Sequence, residues 1–229
     1  MSRAYFTAIR RGISGFLSDL QRNCSGVALT EFALVLPTLT AIGMYGIEIS
    51  YMSSVNMQVS QLALTVADNA SRLEQTNNNT VAPTVTEADI TSIMQGATKQ
   101  GANINLQGKG RVIVSSLEKD PGTNKQFIHW QRCKGSLTVA SAYGNDSSQN
   151  GLNGPVLNSM GSGTSKITAN TGIAVMFVEV IYDYDGIFGT LFVNRTRFKQ
   201  EAAFIVRDVR DLRASNVSGI TGSGGTSPC

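Results

Sequence analysis

The chain has 229 residues, enough for one ordinary domain plus an anchor, and 41% of them are hydrophobic, enough for a real core. Charged residues are only 15%, well under the roughly 25% of a typical soluble protein. The net charge of +3 sits wholly in residues 1–25, where Arg3, Arg10, Arg11 and Arg22 stand against Asp19; the neutral remainder carries no electrostatic footprint for nucleic acid.

The first element is the apolar run Val27–Ile47. Its 21 residues make about 30 Å of helix, the thickness of a hydrocarbon core. The basic residues precede it, so the positive-inside rule puts residues 1–25 in the cytoplasm and the C-terminal bulk outside. A cleaved secretory signal is the competing reading, but its apolar core is only about 7–15 residues. This run is longer and contains Glu31 and Pro37. Pro37 removes a backbone donor and is expected to kink or open the helix. Glu31 is the only charge in the run, where a bare carboxylate costs a few kcal/mol. One reading places it at a helix N-terminus near the headgroups. The other gives it a partner charge: if the chain is cut after Gly26, Val27 carries a free amine and Glu31 is the fifth residue of the new chain.

The string Gly26-Val27-Ala28-Leu29-Thr30-Glu31-Phe32 resembles a type IV prepilin cleavage site. Extended through Ala33-Leu34-Val35-Leu36-Pro37, it resembles the TadE/TadG-like family of the tight-adherence (Flp) pilus system. The resemblance covers about residues 24–75. It implies a basic cytoplasmic leader (1–26) removed by a prepilin peptidase between Gly26 and Val27. It implies a transmembrane helix with an amphipathic stalk (27–75), a periplasmic α+β domain (76–213) and a flexible tail (214–229). Glu31 and Phe32 would register the subunit against its neighbours. The partners implied are the bacterial inner membrane, other pilin-like subunits and the assembly machinery, with no nucleic acid, cofactor or small-molecule substrate. The 26-residue leader and the large outer domain depart from a major pilin, and so favour a minor pilin or pseudopilin.

Beyond Ile47, Met52, Val55, Val59, Leu62, Val66, Ala70 and Leu73 recur at three or four residues, a near-heptad stripe. It predicts that the helix continues to about Glu74, with Glu48, Asp68 and Glu74 off the stripe. The stripe is expected to pack on the chain's own sheet, with a contact to another pilin-like chain as the alternative. Asn77-Asn78-Asn79 ends the helix and leads into an Ala82-Pro83 turn.

Thr86-Glu87-Ala88-Asp89 has the form of a capping box. Ile90, Ile93, Met94 and Ala97 follow at helical spacing until Gly101, so residues 87–100 read as a second helix. Arg111–Leu117 and Lys125–Cys133 read as a hairpin around Asp120-Pro121-Gly122. Residues 144–172 are rich in Gly, Ser, Asn and Thr and read as a long surface loop, with a short strand or helical turn around Val156–Met160. Ile173–Tyr184 has one wholly apolar face (Ala174, Met176, Val178, Val180, Tyr182). Its other face (Ile173, Val175, Phe177, Ile181) is interrupted by Glu179. Such a strand is usually central. Phe198–Val206 reads as the fourth strand, with Lys199, Glu201 and Arg207 on its polar face. Ile187–Val193 is expected to cover the core; the alternative is an exposed surface near the bilayer or a partner. The fold expected is α+β and pilin-like, a long N-terminal helix on a small antiparallel sheet, with a loose tail from Ala214.

Of three cysteines, Cys24 precedes the apolar run while Cys133 and Cys229 follow it. In an oxidising compartment Cys133 and Cys229 would pair and staple the tail; free thiols are the other reading. No catalytic constellation emerges, so the chain reads as not an enzyme. His129 is the only histidine and alternates with aromatics in a strand, which favours a structural role and leaves a zinc site poorly supported. No Gly-x-Ser-x-Gly elbow has a histidine downstream, and Gly161-Ser162-Gly163 lacks the lysine of a phosphate loop. Asp183 and Asp185 lie before Gly186 without the spacing of a calcium loop and read as a plain turn. The competing function is an uncleaved single-pass membrane protein whose outer domain binds a ligand or envelope component.

Overall fold

The computed structural model describes residues 25–73, 85–164, 166–207, 212, 219–222, 225 and 227–229. The basic leader with Cys24, the expected helix end at Glu74, Asn77–Asn79 and the Ala82-Pro83 turn lie outside the described residues. The protein is α+β, and it divides into two compact units, up to Ile49 and from Ser50 on.

Helix α1 (Ser25–Ser71, 47 residues) supplies everything described of the first unit. It is long and apolar enough to span a membrane. Leu29, Phe32, Leu34, Val35, Leu36, Leu39 and Ile42 are all exposed. Glu48 was expected off the stripe and is instead fully buried. Its spacing explains the correction: Glu48 stands four residues before Met52, one turn back along the same face.

In the second unit, Val55, Val59, Leu62, Val66 and Ala70 of α1 are buried in one core with Val112, Trp130, Val178 and Val180 of the sheet. Met52 and Leu73 flank it, half-buried. The stripe therefore packs on the chain's own sheet. Asp68, off the stripe, pairs with Arg72 one turn on at 2.9 Å.

Strand β1 (Val85–Thr86) leads into α2 (Glu87–Gln100). The capping box forms as expected: Thr86 Oγ1 accepts from the Asp89 N–H and the Asp89 carboxylate accepts from the Thr86 N–H, both at 3.2 Å. Ile90, Met94 and Ala97 face the core. Gly101 ends α2, and two short elements follow that no periodicity announced: a 3₁₀ turn at Ala102–Ile104 and a single helical turn, α3 (Leu106–Lys109). Asn105, left-handed at φ 54°, caps α3.

Four strands form the main sheet: β2 (Gly110–Lys119), β3 (Gln126–Lys134), β4 (Val175–Tyr184) and β5 (Thr196–Ile205). Their order is β3-β2-β4-β5, all neighbours antiparallel, so β4 is an inner strand, as its two apolar faces require. Between β2 and β3 the register slips: Ser116 pairs with Trp130 but Leu117 with Ile128, leaving His129 as the extra residue of a bulge. Gly135 follows β3 at φ 117°, where a side chain would run into the Gly110 backbone.

Three expectations are corrected. Residues 144–172 do not simply lie on the surface. Met160 and Ala169 are buried, with Tyr143, Leu157 and Ile167 packed around them, against Leu117, Ile128, Val175 and Phe177. This irregular segment closes the sheet face opposite the helices, and among its described residues Met160 bridges to Ile167, with no helix or longer strand over Val156–Met160. The tail is not loose throughout: β6 (Ile220–Thr221) pairs parallel with β1, and Ile220 and Ser227 are buried. Ile187–Val193 does not cover the core: Ile187 and Leu191 are 50% and 70% exposed, and none of the segment is buried. The β4–β5 connection leaves the end of the sheet, so its apolar residues have no sheet face to lie on.

Candidate functional site

Gly26, Val27, Glu31, Phe32 and Pro37 all lie in α1, and all are exposed. Helix α1 is described from Ser25 on, and the Gly26–Val27 bond lies within it. A side chain at Gly26 would meet nothing within 4 Å, so packing within this chain does not require glycine there. Nor does propensity, since glycine costs about 1 kcal/mol against alanine inside a helix. Glu31 meets no cation or hydrogen-bond donor among the described residues, and one turn to either side of it stand Val27, Ala28, Leu34 and Val35. Helix α1 continues through Pro37. Thr40 Oγ1 donates to the Leu36 carbonyl at 2.8 Å beside the proline, and Thr30 Oγ1 to the Val27 carbonyl at 2.8 Å.

A second group of charges lies on the sheet. Glu179, which interrupts the second face of β4, is fully buried. It accepts hydrogen bonds from Ser141 Oγ, from the Ala142 N–H at 3.3 Å and from Lys199 Nζ at 3.0 Å. Glu201 stands directly opposite Glu179 across the β4–β5 ladder. Like charges in that position repel. Lys199 resolves the conflict by reaching both, at 2.7 Å from Glu201, with its ammonium 5.0 Å over the Tyr143 ring. Tyr143 donates its hydroxyl to Glu201 at 2.7 Å, and the Ser162 N–H donates to the other oxygen at 2.7 Å. Burial works against the Glu201 carboxylate, yet the bonds from Lys199, Tyr143 and Ser162 hold its pKa below the ordinary value. Burial likewise opposes the charge on Lys199, but Glu201 and Glu179 raise its pKa. Burial and the adjacent Glu201 push the Tyr143 hydroxyl up to about 12.

These shifts fix an alkaline prediction. Unfolded tyrosine and lysine titrate near 10 and about 10.4. Both groups are raised in the folded state, so their contribution is complete below those values. It is lost as the pH climbs through the folded values, between about 10 and about 12 for Tyr143. Thermal melting followed from pH 9 upward is expected to fall steeply in wild type and less steeply in Tyr143→Phe; parallel curves would remove Tyr143 from this linkage.

The remaining sequence candidates have structural partners. His129 Nδ1 lies 2.8 Å from Glu118 Oε2, with both side chains buried, and Ser116 Oγ donates to the other Glu118 oxygen at 2.7 Å. Asp183 takes two bonds from Arg197 at 2.6 and 2.7 Å, which hold its carboxyl below the ordinary range. Asp185 pairs with Lys109 and Arg195. Cys133 and Cys229 are joined as a disulfide, with their Cα atoms 4.8 Å apart. Beside it, a cleft of about 340 Å³ is lined by Arg111, Arg132, Ser141 and Asp146. Arg132 is clamped by Glu87 at 2.5 Å and Asp146 at 3.3 Å.

The structure thus keeps the helix-start residues on one exposed segment, and it assembles a charge cluster that sequence reading saw only in parts. Glu179 was visible as a break in an apolar face, and Lys199 and Glu201 as a polar face. Tyr143 carried no signal, because it reaches the sheet from an irregular segment. No protein-family profile, curated protein or solved structure matches this chain.

Proposed function

We propose that the chain is a non-enzymatic minor pilin or pseudopilin-type component of tight-adherence pilus assembly. Val27–Ile47 holds it in the bacterial inner membrane with the Ser50–Cys229 unit periplasmic, and a prepilin peptidase cuts between Gly26 and Val27. The observation that carries this reading is Glu31, exposed on the otherwise uncharged run Val27–Ile47 and without a partner among the described residues. An uncompensated carboxylate in hydrocarbon costs a few kcal/mol. Hydrolysis of the Gly26–Val27 bond leaves an amine on Val27, one helical turn from Glu31. The Val27 amine of one subunit then pairs with Glu31 of the next, in a low dielectric where such a pair is strong. Gly26, which no packing requires, serves as the small residue at the cut. The long helix with its distal half on an antiparallel sheet is in keeping with a pilin-like plan.

The intact mass of the chain extracted from membranes tests the cut. A species beginning at Val27 is expected, and a chain retaining Met1 refutes processing. Glu31→Ala is expected to insert and be processed normally but to abolish incorporation or piliation. Normal pili from that variant would sink the pairing.

A further inference from the structure

We propose that β6 and residues 227–229 form a redox-operated strap. A dithiol opens the Cys133–Cys229 bond at the Cys229 sulfur, the strap lifts, and the outer edge of β3 is uncovered with the cleft beside it. The bond is presented asymmetrically. Cys133 is buried beside Ile113 and Ile181, with Leu137 and Val139 packed against them, whereas Cys229 is exposed. Both residues line the cleft of about 340 Å³. A thiolate arriving from solvent therefore reaches the Cys229 end of the bond. Exposed bridges are the labile, regulatory ones.

The strap is poised to leave. Ile220 is the only buried apolar side chain among its described residues. The rest of its hold is polar: the two-residue pairing of β6 with β1, the Thr221 hydroxyl donating to the Val85 carbonyl at 3.4 Å, and the Cys133 N–H donating to the Ser227 carbonyl at 2.8 Å. Against these contacts stand two buried polar atoms with no hydrogen-bond partner among the described residues, Arg111 Nε and Ser227 Oγ. Ser227 belongs to the strap, and Arg111 touches it, with Nη2 donating to the Cys229 carbonyl at 3.5 Å. A buried polar atom left unpaired carries its whole desolvation penalty. Lifting the strap returns the Ser227 hydroxyl to water and releases the Arg111 guanidinium from the Cys229 carbonyl. The covalent bond is what holds the strap down.

In the exchange, one thiolate of the dithiol attacks Cys229 Sγ. The bond between the two cysteines breaks with its electron pair on Cys133 Sγ, which takes a proton. The second thiolate of the dithiol then attacks the dithiol's own sulfur in the mixed disulfide. Cys229 leaves as a thiolate and is protonated, and the dithiol departs as a disulfide. Arg111 lines the same cleft and gives its Nη groups to the Leu137 and Cys229 carbonyls rather than to an acidic side chain. Its charge therefore favours the leaving thiolate of Cys133. Once the strap has lifted, the Cys133 N–H has lost its acceptor on the outer edge of β3, and the cleft has lost the wall made by Pro228 and Cys229.

Full-length protein carrying Cys24→Ser, so that the bridge holds its only two cysteines, tests this. Glutathione is the first probe, added without denaturant and followed by alkylation of free thiols. Peptide mapping is expected to find glutathione on Cys229 and the alkyl group on Cys133. Glutathione on Cys133, or a bridge that opens only in denaturant, overturns the proposal. Dithiothreitol is the second probe, read by hydrogen exchange and mass spectrometry. Exchange is expected to rise over residues 126–134 and 219–229 and to keep its oxidised level over residues 175–184 of β4. A rise that spares either of the first two segments, or one that extends to β4, overturns strap release. Ser227→Ala deletes one unpaired hydroxyl and is expected to slow the exchange of residues 219–229 in the reduced protein roughly tenfold. An unchanged or faster rate overturns the poise of the strap.

Discussion

Replacing Lys199 with methionine is expected to destabilise the sheet unit by about 3 kcal/mol, the low end of the cost of breaking a buried ion pair. The low end applies because the Lys199 side chain is one-third exposed, whereas Glu179 is fully enclosed. The loss does not come from a missing attraction alone. Without Lys199, Glu179 and Glu201 face each other across the ladder with no cation between them. The pH dependence separates this from a simple packing defect. In wild type, Glu201 is held below its unfolded pKa, so its contribution is present above about 4.3 and is lost as the pH falls through the folded value. In Lys199→Met, one of the facing carboxyls binds a proton more readily when folded, so acidification restores stability instead. Chemical denaturation from about pH 7 down to about pH 3 is expected to show the two slopes with opposite sign. The double change Lys199→Met with Glu179→Gln is expected to recover most of the loss. A single variant with wild-type stability, or with the same acid slope, removes Lys199 from its bridging role.

The Cys229→Ser variant is expected to lose about 4–5 kcal/mol, the loop-entropy value for a closed loop near 100 residues. The bridge closes a separation of 96 residues. It also fixes the short run that leads to it, where the Ser227 carbonyl accepts from the Cys133 N–H at 2.8 Å on the outer edge of β3. Cutting the bridge therefore frees the tail and uncovers a strand edge. Cys133→Ser and the double variant are expected to match the single change, because all three lose one and the same bond. Equilibrium unfolding with and without reductant measures it. A reductant-insensitive wild type would remove the disulfide from the stability of the unit.

The elements that the sequence revealed are those in which each residue meets one environment at regular spacing. Val55, Val59, Leu62, Val66 and Ala70 repeat because every one of them lies in the core shared with the sheet, and β4 announced itself because both of its faces are covered. The segment 144–172 defeats this logic. It covers a sheet face with a few apolar side chains, Leu157, Met160, Ile167 and Ala169, set at no constant interval among Gly, Ser and Asn. Two-residue strands such as β1 and β6 are too short to carry a period at all. Ile187–Val193 fails for the opposite reason: it is apolar enough for a core, but its destination depends on where β4 ends. At the candidate site, Gly26, Glu31 and Pro37 were legible because each breaks the chemistry of its surroundings. The Glu179–Lys199–Glu201 bridge was not, since it depends on the register between β4 and β5.

The parallel pairing of β1 with β6, and the bridge that follows it, also set a timetable. Chains are made from the N-terminus, so Val85 is in place long before Ile220, its partner, exists. Cys133 likewise waits for 96 further residues before Cys229 is available. At about 5–20 residues per second that interval lasts about 5–20 s. Throughout it α1 is complete, the strip of β3 that Ser227 will cover is bare, and Cys133 is a thiol open to any other oxidised partner. The unit becomes safe only when Ile220 and Cys229 arrive, so whatever guards this chain during its production must hold the middle of it.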